Sequence, residues 1–241
     1  MGPTPLAEVC LPRFLLLPGL DGTGELLRDF ADRLAPLGPV EILRYPVDRP
    51  RDYEALCSEL AAQAQIDRDS VVVAESFAGP LGIALAARAA VPPRALVLSA
   101  SFAVSPLPWL RRLAPLTHWL PVHGVPRRLS DALLLGRWAT PRWSSRLDAA
   151  LRQVPANVLR ARLRAALLVD WRHELRSLAC PVLYLQATAD RVIPAYAARC
   201  IEAQRADLVR VRIEAPHFLL QAAPHAAVEA IARFLGSLPG D

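Results

Sequence analysis

The sequence predicts an α/β fold, a mostly parallel sheet of about six strands flanked by helices, in one domain spanning residues 1–241. Three observations predict it. Short apolar runs alternate with amphipathic stretches along most of the chain. Three consecutive valines, Val71, Val72 and Val73, suit a strand buried on both faces, as parallel strands are. Breakers such as Gly38-Pro39 stand where one unit should stop and the next begin. At 241 residues and 53% apolar composition the chain can bury a full core.

In order, residues 14–17 read as a first buried strand ending at Pro18-Gly19, and 26–37 have helical apolar spacing. Residues 40–45 read as a second strand and 53–65 as a helix. The third strand, 71–74, leads into a helix of small residues, 77–90, that can pack closely on the sheet. Strands four to six fall at 95–99, 182–186 and 208–213. A last helix covers 225–235, with Val228, Ile231 and Leu235 on one face. Between 101 and 180 the β/α rhythm lapses into a Pro-punctuated, helix-biased stretch rich in Arg, Leu and Trp. It is too long for a plain crossover and too apolar for a linker, so 101–180 is expected to be an inserted helical cap.

Composition removes several function classes. The chain contains no lysine, so its 28 basic residues are all arginine, which excludes a P-loop lysine, a Schiff-base lysine and a Ser-Lys dyad. Cys10, Cys57, Cys180 and Cys200 form no C-x-x-C pair, so they are expected to be buried reduced thiols rather than metal ligands. No cofactor or metal is implied. No apolar stretch is long enough to span a bilayer, because the best candidate is interrupted by Arg88 and Pro92-Pro93-Arg94. Residues 1–10 lack the basic and apolar regions of a secretory signal, and Leu6 breaks a myristoylation pattern, so a cytoplasmic location is expected.

The strongest local signal is Val71-Val72-Val73-Ala74-Glu75-Ser76-Phe77-Ala78-Gly79. A strand meets a serine and leaves at once as a helix, a turn so tight that only small residues fit two before and two after it. Ala74 and Ala78 meet that need. The plainer alternative is a serine in an ordinary strand-to-helix turn. A serine hydroxyl needs a base to take its proton, and on this architecture the acid and then the histidine should follow in the chain. Asp190 stands in a loop after the fifth strand and His217 just after the sixth, where site residues gather in open α/β sheets. His217 would act as the base toward Ser76, and Asp190 would fix its tautomer. His118, His123, His173 and His225 lack this position, and Asp170, a weaker candidate acid, better suits a cap on the helix starting near Trp171.

Acyl transfer also needs hydrogen-bond donors for a developing oxyanion. The backbone N–H of Phe77 is one, and that of Leu20, in the loop Pro18-Gly19-Leu20-Asp21-Gly22-Thr23-Gly24, is the other. Asp21 and Thr23 are expected to brace that loop or simply to cap it. Its glycines run G-x-x-G-x-G, the wrong order for a dinucleotide site.

On these residues the chain resembles the α/β-hydrolase superfamily from Phe14 to Leu235: Pro18-Gly19-Leu20, the Ser76 elbow, Asp190 with Val192-Ile193-Pro194, and His217-Phe218. It looks most like small, helically capped carboxylesterases, a group that includes the pimeloyl-[acyl-carrier protein] methyl ester esterases. The Asp-Gly-Thr-Gly stretch is similar to that of plant phytyl-ester synthase relatives, which hints at acyl transfer. Pro18 replaces the usual His before the loop glycine, alanines replace the elbow glycines, and residues 1–13 leave little room for the usual leading hairpin.

The cap bears on substrate and partner. Gly19, Phe102, Trp109 and Trp143 are expected to line the substrate site, with Phe77 and Leu20 close to the chemistry. Trp109, Trp119, Trp138 and Trp143 would alternatively form the cap's own core. Residues 103–180 hold 13 arginines against 4 acids, while the rest of the chain holds 15 against 19. Arg111, Arg112, Arg127, Arg128, Arg137, Arg142, Arg146 and Arg152 would attract an acidic acyl carrier protein, the phosphates of a coenzyme A thioester or an anionic membrane surface. A solvated basic face is the plainer alternative.

The function expected is hydrolysis of a small or carrier-bound carboxylic ester through an acyl-Ser76 intermediate. A thioesterase or acyltransferase would use the same triad. A non-catalytic binding protein on this scaffold would not need all three residues, and no interleaved aromatic-basic motif supports a nucleic-acid binder.

Overall fold

A computed structural model describes residues 11–239. Cys10 and the expectations made for residues 1–10 lie outside the described residues. Six strands form one parallel sheet: β1 (Arg13–Leu17), β2 (Val40–Ile42), β3 (Ser70–Glu75), β4 (Ala95–Ser99), β5 (Val182–Ala187) and β6 (Val209–Ile213), in the order β2-β1-β3-β4-β5-β6. Every neighbouring pair is parallel, as the apolar runs predict.

The helices are α1 (Arg28–Leu34), α2 (Tyr53–Ala64), α3 (Gly79–Arg88), α4 (Arg127–Leu134), α5 (Pro141–Arg152), α6 (Ala156–Leu168), α7 (Arg172–Ser177), α8 (Ala195–Glu202), α9 (Leu219–Ala222) and α10 (Pro224–Ser237). Alternate strand residues face opposite sides of a sheet, and here each side has its own helices. Leu15, Leu17, Val72, Ala74, Leu96 and Leu98 pack against α2, α3, α7 and α8. Phe14, Leu16, Val71, Val73, Ala95 and Val97 pack against α1, α9 and α10. All six residues of β3 are buried, which explains its unbroken apolar run.

Element ends differ from the sequence reading where a local bond intervenes. β2 stops at Ile42 because the Tyr45 N–H turns away to donate to the carbonyl of Gly22, 2.9 Å distant, ahead of Pro46. The helix after Ser76 opens with a 3₁₀ turn, Ser76–Ala78, before α3. Between β4 and β5 the chain forms a 3₁₀ segment, Pro108–Trp119, followed by α4 to α7. That 3₁₀ segment lies against α6. Cys57 and Cys180 are buried free thiols, whereas Cys200 is only half-buried. Among the described residues no helix is long and apolar enough to cross a membrane.

The strand order places a switch point between β1 and β3. The connection from β1 runs to one side and the chain then returns to the other, leaving a crevice beyond the strands' carboxyl ends. Pro18–Gly24 leave β1 at that crevice, and Ser76 leaves β3 beside them.

Candidate active site

Ser76 sits between β3 and its 3₁₀ turn with φ +53°, a left-handed conformation that costs a serine of order 1 kcal/mol or more. Two hydroxyls brace this turn. Ser101 Oγ donates to the Ser76 carbonyl at 2.5 Å, and Tyr53 Oη donates to the Phe77 carbonyl at 2.9 Å. Gly79 begins α3 against Ser101, so close that a Cβ there would lie 1.8 Å from Ser101 Oγ. The lack of a side chain at Gly79 is therefore a packing requirement.

Asp190 and His217 arrive from the next strand ends. Asp190 Oδ1 accepts the N–H groups of Val192 (2.7 Å) and Ile193 (2.9 Å), which turns the loop after β5 back on itself. Its Oδ2 is left for His217 Nδ1, 2.9 Å away. The segment after β6 is stitched to the same loop, since the Ala189 N–H donates to the Ala215 carbonyl. His217 Nε2 then lies 2.8 Å from Ser76 Oγ. The side chains of His217 and Asp190 are each only 5% exposed, so their hydrogen bond is shielded from water. The structure thus brings together three residues spread over 141 positions of sequence. Asp170 is engaged elsewhere: its carboxylate accepts the Arg172 guanidinium and N–H. His225 contacts Arg33.

The loop after β1 is held from three sides. Tyr45 Oη donates to the Pro18 carbonyl at 2.7 Å, and Asp21 Oδ2 accepts the Thr23 N–H and hydroxyl. The third support is Arg162 of α6, absent from the sequence expectations. It is 1% exposed and donates to the carbonyls of Leu20 (2.9 Å), Asp21 (2.7 Å) and Pro46 (3.0 Å). Its guanidinium also lies over the Tyr45 ring, 5.4 Å from the centroid. Burial pulls this guanidinium below the usual arginine range. Gly22 is required here: its φ is +65°, and a Cβ would meet Tyr45 and Arg162. Among the described residues the Leu20 N–H has no hydrogen-bond acceptor, and Leu20 borders the space in front of Ser76.

That space is a cavity of about 130 Å³. Gly19, Glu75, Ser76 and His217 form its polar end; Leu20, Leu26, Leu134, Leu147, Leu151 and Phe218 form its walls. The other expected substrate residues stand apart from it. Phe102 is buried in the core with Phe77, whose ring stacks on Tyr53. Trp109 is 65% exposed on the outer surface, and Trp143 lies behind the wall, against Leu147 and beneath Arg146. A larger open groove of about 570 Å³, between α2 and α6–α7, is not lined by Ser76, Asp190 or His217.

Two site features went unread in the sequence. Leu147 and Leu151 are four apart on α5, a spacing that puts both on one face. Arg162 continues the buried stripe of Val158, Leu159 and Ala165 on α6, and an arginine in a buried stripe is the detectable signal. Glu75 is a third unusual group. It is 5% exposed with one carboxyl oxygen, Oε1, lacking a hydrogen-bond partner among the described residues. Burial pushes its carboxyl up to about 7, with Gln221 and His217 pulling the other way.

With this geometry in place, the family is clear. Residues 7–231 match the Alpha/beta hydrolase family, and the chain belongs to it. Solved structures of the same fold include the enol-lactonase from Burkholderia xenovorans LB400, 20% identical with a TM-score of 0.75, over 96% of this chain and 94% of that one. A thermophilic esterase from Thermogutta terrifontis is 17% identical with a TM-score of 0.79, over 93% of this chain and 89% of that one. The esterase from Exiguobacterium antarcticum is 12% identical with a TM-score of 0.77, over 94% and 92%. No curated protein matches the chain.

Proposed function

We propose that this protein is a serine esterase that cleaves small carboxylic esters through an acyl-Ser76 intermediate. The observation that carries this reading is the unbroken path from Asp190 Oδ2 to His217 Nδ1 (2.9 Å) and from His217 Nε2 to Ser76 Oγ (2.8 Å). His217 takes the Ser76 proton as Oγ attacks the ester carbonyl, then gives it to the leaving alkoxide. Water repeats the cycle on the acyl-enzyme and releases the acid. Asp190 keeps a proton on Nδ1 and stabilises the imidazolium. The N–H groups of Leu20 and Phe77 receive the oxyanion. The esterases and the enol-lactonase of the same fold are consistent with this chemistry.

The leucine walls favour an apolar acyl group. A volume of about 130 Å³ is small beside the roughly 300–1,000 Å³ of typical ligand pockets, so the acyl chain is short. A carrier-bound ester has less support. Arg142 and Arg146 are held by Asp29, Arg137 by Glu214 and Arg152 by Asp148, which removes four arginines from the docking face expected for an acidic carrier. The test is labelling with a fluorophosphonate, alongside hydrolysis of p-nitrophenyl butyrate. Wild type should label and turn over, and Ser76→Ala should do neither. Labelling that persists in Ser76→Ala identifies a different nucleophile and defeats the reading.

A further inference from the structure

The described residues include twelve large apolar side chains that are well exposed, and eight of them lie between Trp109 and Leu133. Their placement follows the backbone. In a 3₁₀ helix, side chains three apart align. Ala114 and Thr117 of the Pro108–Trp119 segment are buried toward α6, and the Arg160 guanidinium ties the segment's end to α6 through the Leu120 carbonyl. The stripe at Leu113, Leu116 and Trp119 consequently faces outward, with Trp119 72% exposed. Trp109 and Leu120 extend it at either end.

The segment that carries the stripe has charge of one sign, and the nearest acid among the groups that interact with it is Asp170, beside Arg111. Residues 101–130 contain Arg111, Arg112, Arg127 and Arg128 and no Asp or Glu. Arg112 and Arg128 have no acidic partner among the described residues, unlike the paired arginines of α5. Exposed tryptophans and leucines flanked by arginines suit the boundary between headgroups and acyl chains, where indole rings settle and basic side chains meet phosphate. An acidic protein partner would call for arginines at the centre and few apolar groups. Here the leucines and tryptophans form the centre and the arginines the flank.

We propose that the Pro108–Trp119 segment docks the protein on an anionic phospholipid surface, with Trp109, Leu113, Leu116 and Trp119 at the interface and Arg112 facing phosphate. This goes beyond the esterase reading and does not depend on it.

The test is co-sedimentation of the full chain with vesicles of equal parts phosphatidylglycerol and phosphatidylcholine, against phosphatidylcholine alone. The protein should bind the anionic vesicles selectively and be released by salt. A basic residue near an anionic surface contributes about 1 kcal/mol, so Arg112→Glu should weaken binding roughly fivefold or more. Trp119→Ala should weaken it severalfold at unchanged charge. Both variants should hydrolyse p-nitrophenyl butyrate at the wild-type rate, which shows that they fold. Ser76→Ala should bind vesicles normally, keeping this result separate from the catalytic one. Absence of binding to either vesicle, equal binding to both, or full retention by the variants overturns the proposal. So does capture of an acidic acyl carrier protein without vesicle binding, which would assign these arginines to a protein partner.

Discussion

The Ser101 hydroxyl donates to the carbonyl of Ser76 at 2.5 Å, bracing the backbone of that turn from behind. Tyr184 Oη in turn donates to the Ser101 carbonyl at 3.0 Å, so the brace is anchored in β5. Gly79 is what leaves room for it. Gly79→Ala should displace Ser101, destabilise the fold by about 1–3 kcal/mol and reduce turnover more than substrate binding. Thermal unfolding and steady-state kinetics on p-nitrophenyl butyrate check both parts. Wild-type kinetics in a destabilised variant would show that the brace does not matter to Ser76.

Asp190→Asn should lower kcat by on the order of 10⁴-fold while leaving the fold in place. The retained Oδ1 can still accept the Val192 and Ile193 N–H groups, but the amide no longer enforces the tautomer of His217. Circular dichroism with single-turnover kinetics separates the two. A loss below about tenfold would remove Asp190 from the relay.

Arg162→Met should leave the carbonyls of Leu20, Asp21 and Pro46 without their buried donor, each costing about 1–3 kcal/mol where water does not replace it. The loop carrying the Leu20 N–H should loosen, and kcat should fall roughly tenfold to a hundredfold with KM little changed. Arg162→Lys, with a charge but no fork, should recover part of the loss. A rise in KM at constant kcat would instead point to a role in substrate binding.

Glu75 makes stability depend on pH. Its carboxyl ionises near 7 when folded and near 4.5 when exposed. Between those values the folded state retains a proton that the unfolded state has released, so this residue's contribution is complete below about 4.5 and is lost as pH rises toward 7. At about 1.4 kcal/mol per pH unit the loss is on the order of 3 kcal/mol. Glu75→Gln should abolish it, and the variant should gain on wild type as pH rises through this window. Parallel urea titrations that track each other from pH 4.5 to 7 would rule this out.

Leu151→Ala should lengthen the cavity at its wall. The ratio of kcat/KM for p-nitrophenyl hexanoate over butyrate should rise roughly tenfold, the scale of a methylene or two in an apolar pocket. An unchanged ratio would place the acyl chain elsewhere.

The sheet and the order Ser76, Asp190, His217 were legible in sequence because each lies within a few residues of a strand end, and strand ends are marked by local composition. Apart from Leu20, the walls of the cavity were not. Leu134, Leu147 and Leu151 come from helices whose seating is set by contacts with Leu26 and Phe218, far away in the chain. Tryptophan content misled for a related reason: an indole reads as core or pocket by type, yet Trp109 and Trp119 point outward because Ala114 and Thr117 take the inward stripe. Arg162 was hidden among 28 arginines, distinguishable only by the apolar register it occupies.

That register has a mechanical corollary. Lifting α6 would sever all three bonds from Arg162 and release the loop after β1 that borders the space in front of Ser76. Movement of that helix would therefore be felt at once in front of Ser76. The end of α4 is tied to the same rim, since its Ala132 carbonyl accepts the Arg191 guanidinium and its Leu134 carbonyl accepts the Phe218 N–H, so roof and rim move as one body.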